Sequence, residues 1–124
     1  MTSACHCTGC QKMSASAFSL TALFPSERFV ITLGVPVLGG VRGPTQHFFC
    51  PNCLSWLFTR PAESDAFVGV RSSLLGHAER YAPFMETWTR KKLPWASTGA
   101  SVSFEEFPDP REYPALMARF VGKG

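Results

Sequence analysis

Ala4-Cys5-His6-Cys7-Thr8-Gly9-Cys10-Gln11-Lys12-Met13-Ser14-Ala15-Ser16-Ala17-Phe18 is the stretch around which this chain is organised. Its cysteines are spaced C-x-C-x2-C, so a single turn of backbone can aim three sulfurs at one point, and zinc is the ion that most often occupies such a point. Three thiolates leave one corner of a tetrahedron open. A closed four-cysteine site is typically structural, whereas three protein ligands plus an exchangeable fourth position let a metal bind and activate a substrate. Cys5, Cys7 and Cys10 are therefore candidate catalytic residues as well as metal ligands.

The other two cysteines make a second cluster, Phe49-Cys50-Pro51-Asn52-Cys53, a C-x2-C knuckle. Five is an odd number for disulfides. The N-terminus opens on the first cluster without a basic and then apolar leader, so the expected compartment is a reducing cytoplasm, where clustered thiols bind metal more often than they pair. At 124 residues the chain reads as one domain, 1–124, large enough for a real core. A formal charge of +3, with no basic run longer than Arg90-Lys91-Lys92, permits an anionic small substrate and does not point to nucleic acid. No window approaches the roughly 18 consecutive apolar residues of a membrane span.

Working outward, Ala17 to Phe24 alternates as a strand before Pro25, and Arg28 to Leu33 reads as a second strand ended by Gly34. Glycines between Pro36 and Pro44 predict a hairpin or mobile loop. Gln46 to Cys50 and Leu54 to Thr59 suit two antiparallel strands joined by the knuckle, and Ala66 to Leu74 supplies another. His77 to Thr87 is poorly periodic and reads as loop, with a short strand over Thr87-Trp88-Thr89. In Lys92-Leu93-Pro94-Trp95, Pro94 predicts an extended segment that tucks its indole inward. Ser101 to Phe107 alternates as a last strand. Asp109, Pro110 and Glu112 form a capping box, and Tyr113, Leu116, Met117 and Phe120 are the apolar stripe of a short helix, with Gly122 beyond it.

These motifs resemble the family of glutathione-dependent formaldehyde-activating enzymes, which shares its domain with centromere protein V. The resemblance rests on Cys5-His6-Cys7-x2-Cys10 with Ser14 to Phe18, on Phe49-Cys50-x2-Cys53, on Leu74 after a strand, and on Trp88 with Leu93-Pro94-Trp95; it covers residues 4 to about 108. It implies a mainly β, Mss4-like (β-tent) fold of small antiparallel sheets with a short C-terminal helix, carrying two zinc ions. Cys5, Cys7 and Cys10 would hold the catalytic zinc, and Cys50 and Cys53 would supply half of a four-cysteine structural site. The other half normally comes from a C-x-C about twenty residues ahead of the first cluster. Met1 stands four positions before Cys5, so the expectation is a start assigned late, a trimmed chain, or a lost second site. The chain also departs from the family at Gln11, where a basic residue is common, and at Ala15 and Leu54, where glycine is usual.

The implied activity is a carbon–sulfur lyase reaction resembling S-(hydroxymethyl)glutathione synthase, with glutathione or a similar thiol condensing with formaldehyde or a related small electrophile. A free thiol has a pKa of about 8.5, and zinc strips its proton at neutral pH. Three thiolates leave such a site net negative, so thiol delivery should matter more than carbonyl polarisation. Lys12 or Arg71 could pair with substrate carboxylates. Set against this are a structural zinc closed by Cys50 or Cys53, a non-catalytic zinc module contacting protein or nucleic acid through Arg90 to Lys92, and a Cys50–Cys53 redox pair. His6 alternates away from Cys5 and Cys7, so a supporting or surface role is expected of it. His47 reads as an ordinary strand histidine or a stand-in ligand at the knuckle, and Trp88 and Trp95 as core.

Overall fold

The computed structural model describes residues 1–123. In chain order its elements are β1 (Thr2–Cys5), α1 (Thr8–Ser14), β2 (Ser19–Pro25), β3 (Val37–Gly39), β4 (Gln46–Phe49), β5 (Trp56–Arg60), β6 (Phe67–Arg71), β7 (Met85–Thr87), β8 (Val102–Ser103) and α2 (Tyr113–Lys123), with single 3-10 turns between several of them. The eight strands form one sheet in the order β3-β4-β5-β6-β2-β1-β7-β8. The architecture is mainly β with a short terminal helix, as the sequence implied. It differs in being one mixed sheet, because β1 pairs with β7, and β7 with β8, in parallel.

β1 is the strand on which the site hangs. Its sequence Thr2-Ser3-Ala4-Cys5 has little β-propensity of its own, and it is a strand because both its edges are taken. Cys5 lies opposite Ser19 of β2 on one side and Thr87 of β7 on the other. At the β7–β8 end, α2 lays its apolar stripe over Met1, Phe84 and Met85, with Leu116 buried among them and Tyr113, Met117 and Phe120 alongside. The capping box forms as expected: Arg111 N–H donates to Asp109 and Asp109 N–H to Glu112, at the 3-10 turn that leads into α2. The helix runs through Gly122 and does not stop before it. A second cluster is aromatic, with Phe58 stacked on Phe48 at 4.9 Å and tilted on Phe29 at 4.8 Å.

Several expectations are corrected. Arg28–Leu33 is no strand: both edges of β2 and the free edge of β4 are already occupied, so a segment with β-propensity has no neighbour. Only Phe29 packs, while Val30 and Leu33 are 75% and 94% exposed. The glycine-rich region after it does form the expected hairpin, with Val37 opposite Phe49. The strand placed at Thr87–Thr89 lies instead at Met85–Thr87, inside the region read as loop. The backbone stops there because Trp88 turns left-handed at φ +59°. The strand expected from Ser101 to Phe107 shortens to Val102–Ser103. Trp95 points outward, 76% exposed. Ala96 N–H donates to Leu93 O at 3.0 Å, which makes Pro94 and Trp95 the corner of a turn and aims the indole at solvent.

Candidate metal centre

Leaving β1 at Cys5, the chain turns through His6 into α1. Cys7 is the N-cap residue, and its sulfur accepts the Cys10 N–H at 3.3 Å, which returns Cys10 to the same point one turn later. The sulfurs of Cys5, Cys7 and Cys10 all lie within 4.8 Å of one another. Zinc bonds to thiolate of about 2.3 Å would need sulfurs roughly 3.8 Å apart, so the three stand within about an ångström of the required spacing. The donor set therefore fits a thiophilic dication. No fourth Cys, His, Asp or Glu joins the group among the described residues.

The thiols act strongly on one another. Hydrogen bonds from Cys10 and then Cys5 pull the Cys7 thiol down to about 2, while Cys10 is pushed far up, first by its bond with Cys5, then by its bond with Cys7 and by burial. Cys5 is raised on balance: its bond with Cys10 favours the thiolate, but the bond with Cys7 and its burial oppose that more strongly.

His6 sits between the first two ligands and is completely buried, not at the surface. Its N–H donates to Thr87 O at 3.0 Å, its carbonyl accepts from Gln11 Nε2 at 2.8 Å, and its ring nitrogen lies 2.9 Å from Glu86. Gln11 Nε2 also donates to Lys91 O at 3.1 Å. Glu86 in turn accepts from Thr98 at 2.7 Å and Ser103 at 2.8 Å and faces Lys92 at 3.5 Å. This buried network holds the cysteine turn from behind. The only sequence trace of Glu86 is an acidic residue placed between apolar Met85 and the Thr87-Trp88 pair.

A cavity of about 410 Å³ has Ser14, Ser19, Trp56, Arg71 and Ser73 in its wall; none of the three cysteines lines it, and it adjoins them through Ser19 and Arg71, which act on the Cys10 sulfur. The Ser19 hydroxyl faces the Cys10 sulfur without a full hydrogen-bond partner, and Trp56 Nε1 and Arg71 Nε are likewise buried and unpartnered. Arg71 lies 3.8 Å from the Trp56 ring centroid. Burial lowers its guanidinium to about 10, while the Cys10 and Cys5 sulfurs pull the other way, which places a cation against the cluster. Of the two cations considered from sequence, Arg71 lines this cavity and Lys12 lines a shallow groove on the other side of α1, with Trp95 and Leu93.

His47 lies 2.9 Å from Thr59 Oγ1 and edge-on to Trp56. Burial lowers its pKa first and Arg71 second. It behaves as a strand histidine and is absent from the metal-binding group. Cys50 and Cys53 carry free thiols on the β4–β5 turn, and neither belongs to the three-cysteine group, so that group is not closed by the knuckle. The basic trio is largely engaged within the protein: Arg90 pairs with Glu106 at 2.9 Å and Lys92 with Glu86 at 3.5 Å. No helix is long and apolar enough to cross a membrane among the described residues.

The crystal structure of a Rhodobacter sphaeroides protein, a structural-genomics target, superposes with a TM-score of 0.52 at 18% identity, covering 61% of this chain and 69% of that one, a likeness of fold. A search of curated proteins gives no match. The family model described as "Glutathione-dependent formaldehyde-activating enzyme" matches residues 1–91, a span holding both cysteine clusters, the His6–Glu86 pair and Arg71, and the chain belongs to that family.

Proposed function

We propose that the chain is a zinc-dependent carbon–sulfur lyase, akin to S-(hydroxymethyl)glutathione synthase, that joins a small anionic thiol such as glutathione to formaldehyde or a related electrophile. The observation that carries this reading is the convergence of the Cys5, Cys7 and Cys10 sulfurs beside a cavity with a buried arginine in its wall. These three residues would hold the ion. When bound, a zinc dication lets a thiol lose its proton at neutral pH.

The remaining work falls to the protein. A cavity of about 410 Å³ is of a size that suits a small-molecule substrate. Arg71 receives a substrate carboxylate and offsets the negative charge that three thiolates bring to the site. Ser19 and Trp56 stand in the same wall. His6, held by Glu86, keeps Cys5 and Cys7 in register so that thiol and aldehyde meet at a fixed angle. In the reaction one carbon–sulfur bond forms between thiol sulfur and aldehyde carbon; the thiol proton goes to solvent and the carbonyl oxygen takes one up. The reverse reaction breaks that bond.

The test is direct. Zinc-loaded protein, glutathione and formaldehyde should form the adduct faster than buffer alone, as followed by proton NMR, and Cys7→Ser should abolish the difference. Equal rates with and without the protein would remove the enzymatic reading.

A further inference from the structure

The tip of the β3–β4 hairpin, residues 40–45, lies across α1 so closely that glycine is required at the contact. A methyl group on Gly40, whose φ is +69°, would come 2.5 Å from Met13 Sδ and 3.2 Å from Phe49 Cζ. One on Gly9 would stand 3.4 Å from Val41 Cγ2 and 3.9 Å from Cys7 Sγ. A valine methyl and the Cys7 sulfur therefore flank the same point above the first turn of α1.

This strap is anchored on both sides. Gly39 lies opposite His47 in the ladder at its start, and Ala62 N–H donates to Thr45 Oγ1 at 3.2 Å at its end. Between the anchors Val41 is 47% exposed, against 94% and 79% for Leu33 and Val35 ahead of β3, because its side chain rests on α1 at Gly9. Valine is stiff at χ1, so it presents a fixed wall.

The three-cysteine group thus has two unlike flanks. On the Cys10 side lies the cavity, hydroxyl-lined and carrying Arg71. On the Cys7 side lies the strap, apolar where it touches. Met13 joins the two, lining the cavity while Gly40 presses against it. A thiol with an acidic group suits the first flank, and a small uncharged partner suits the second.

We propose that Val41 sets the size of the electrophile that reaches the group from the Cys7 side, admitting small unbranched aldehydes and turning away branched or aromatic ones. The choice of an aldehyde rests on the function proposed above; the restriction itself rests on the packing of the hairpin against α1. An apolar wall discriminates between ligands differing by a methylene or more by about tenfold.

The experiment alkylates the metal-free full chain with iodoacetamide, a small probe, and with N-phenylmaleimide, a bulky one, and follows each cysteine by peptide mass spectrometry. Cys53, exposed on its turn, supplies the unhindered reference for each reagent. In the wild-type chain the bulky probe should lag at Cys7 by about tenfold relative to the small one; Val41→Ala should remove most of that gap and Val41→Phe should widen it. Gly40→Ala, which lifts the hairpin off Met13, should narrow the gap with Val41 still present. A merely structural role for Val41 would change both reagents alike. With zinc-loaded protein and glutathione, the ratio of formaldehyde to benzaldehyde turnover should fall by about tenfold in Val41→Ala. If alkylation behaves as expected and no aldehyde turns over, the proposed function falls while the restriction stands. A wild-type chain without the gap, a gap that the Val41 and Gly40 variants leave unchanged, a Cys7 closed to both reagents throughout, or an aldehyde ratio unmoved by Val41→Ala would overturn the assignment.

Discussion

A ring nitrogen of His6 lies 2.9 Å from a carboxylate oxygen of Glu86 across 80 residues of sequence, with the imidazole fully buried and the carboxylate 7% exposed. The pair ties the turn that carries Cys5 and Cys7 to β7, so the geometry of the metal-binding group depends on a contact outside the cysteine motif. Removing one member leaves the other's polar atoms stranded in the interior. Glu86→Ala should therefore destabilise the fold by about 3 kcal/mol in urea unfolding and weaken zinc affinity about tenfold by competition with a chromogenic chelator. Glu86→Gln, which keeps an acceptor for Thr98 and Ser103, should cost less on both counts.

The same carboxylate predicts a pH dependence. Its burial would raise its pKa, but hydrogen bonds from His6, Thr98 and Ser103 and the charge of Lys92 prevail and hold it down to about 2. Because the folded value lies below the unfolded value of about 4.3, its contribution is present above that pH and is lost as pH falls toward 2. Unfolding free energy measured between about pH 5 and pH 2 should drop by about 3 kcal/mol from this group. Glu86→Gln should remove that part of the slope.

Ala15 and Leu54 both adopt left-handed backbone, at φ +51° and +61°, a region that favours glycine. Ala15 caps the C-terminus of α1 and Leu54 closes the knuckle. A side chain costs about 1–2 kcal/mol in this region, partly offset by the restriction it imposes on the unfolded chain. Ala15 is exposed and Leu54 is 68% exposed, so little packing is lost on replacement. Ala15→Gly and Leu54→Gly should each raise stability by about 0.5–1 kcal/mol in denaturant titrations of the metal-free protein.

Arg71→Met keeps much of the side-chain volume but removes the guanidinium from the cavity. With glutathione the KM should rise by about tenfold or more, the loss expected for one charge-assisted hydrogen bond. With 2-mercaptoethanol, which has no carboxylate, it should change by less than about threefold. An equal loss for both thiols would place Arg71 in structural support of Trp56 and the cysteines, not in substrate recognition.

The sequence by itself determined what is local. C-x-C-x2-C returns Cys10 to Cys7 within one turn, because Cys7 caps the helix that carries Cys10, and that local step is legible from spacing alone. The capping box at Asp109 and the apolar stripe from Tyr113 to Phe120 were equally legible, since each depends on neighbours three or four positions away. The β4–β5 hairpin followed from its flanking patterns. Tertiary structure alone decided which β-prone segments found a partner: Thr2–Cys5, weak in propensity, became a central strand because two edges enclosed it, while Arg28–Leu33 stayed irregular for want of one. It alone brought Glu86 to His6 and set Arg71 beside Cys5 and Cys10, because burial and charge pairing are properties of distances that chain order does not encode.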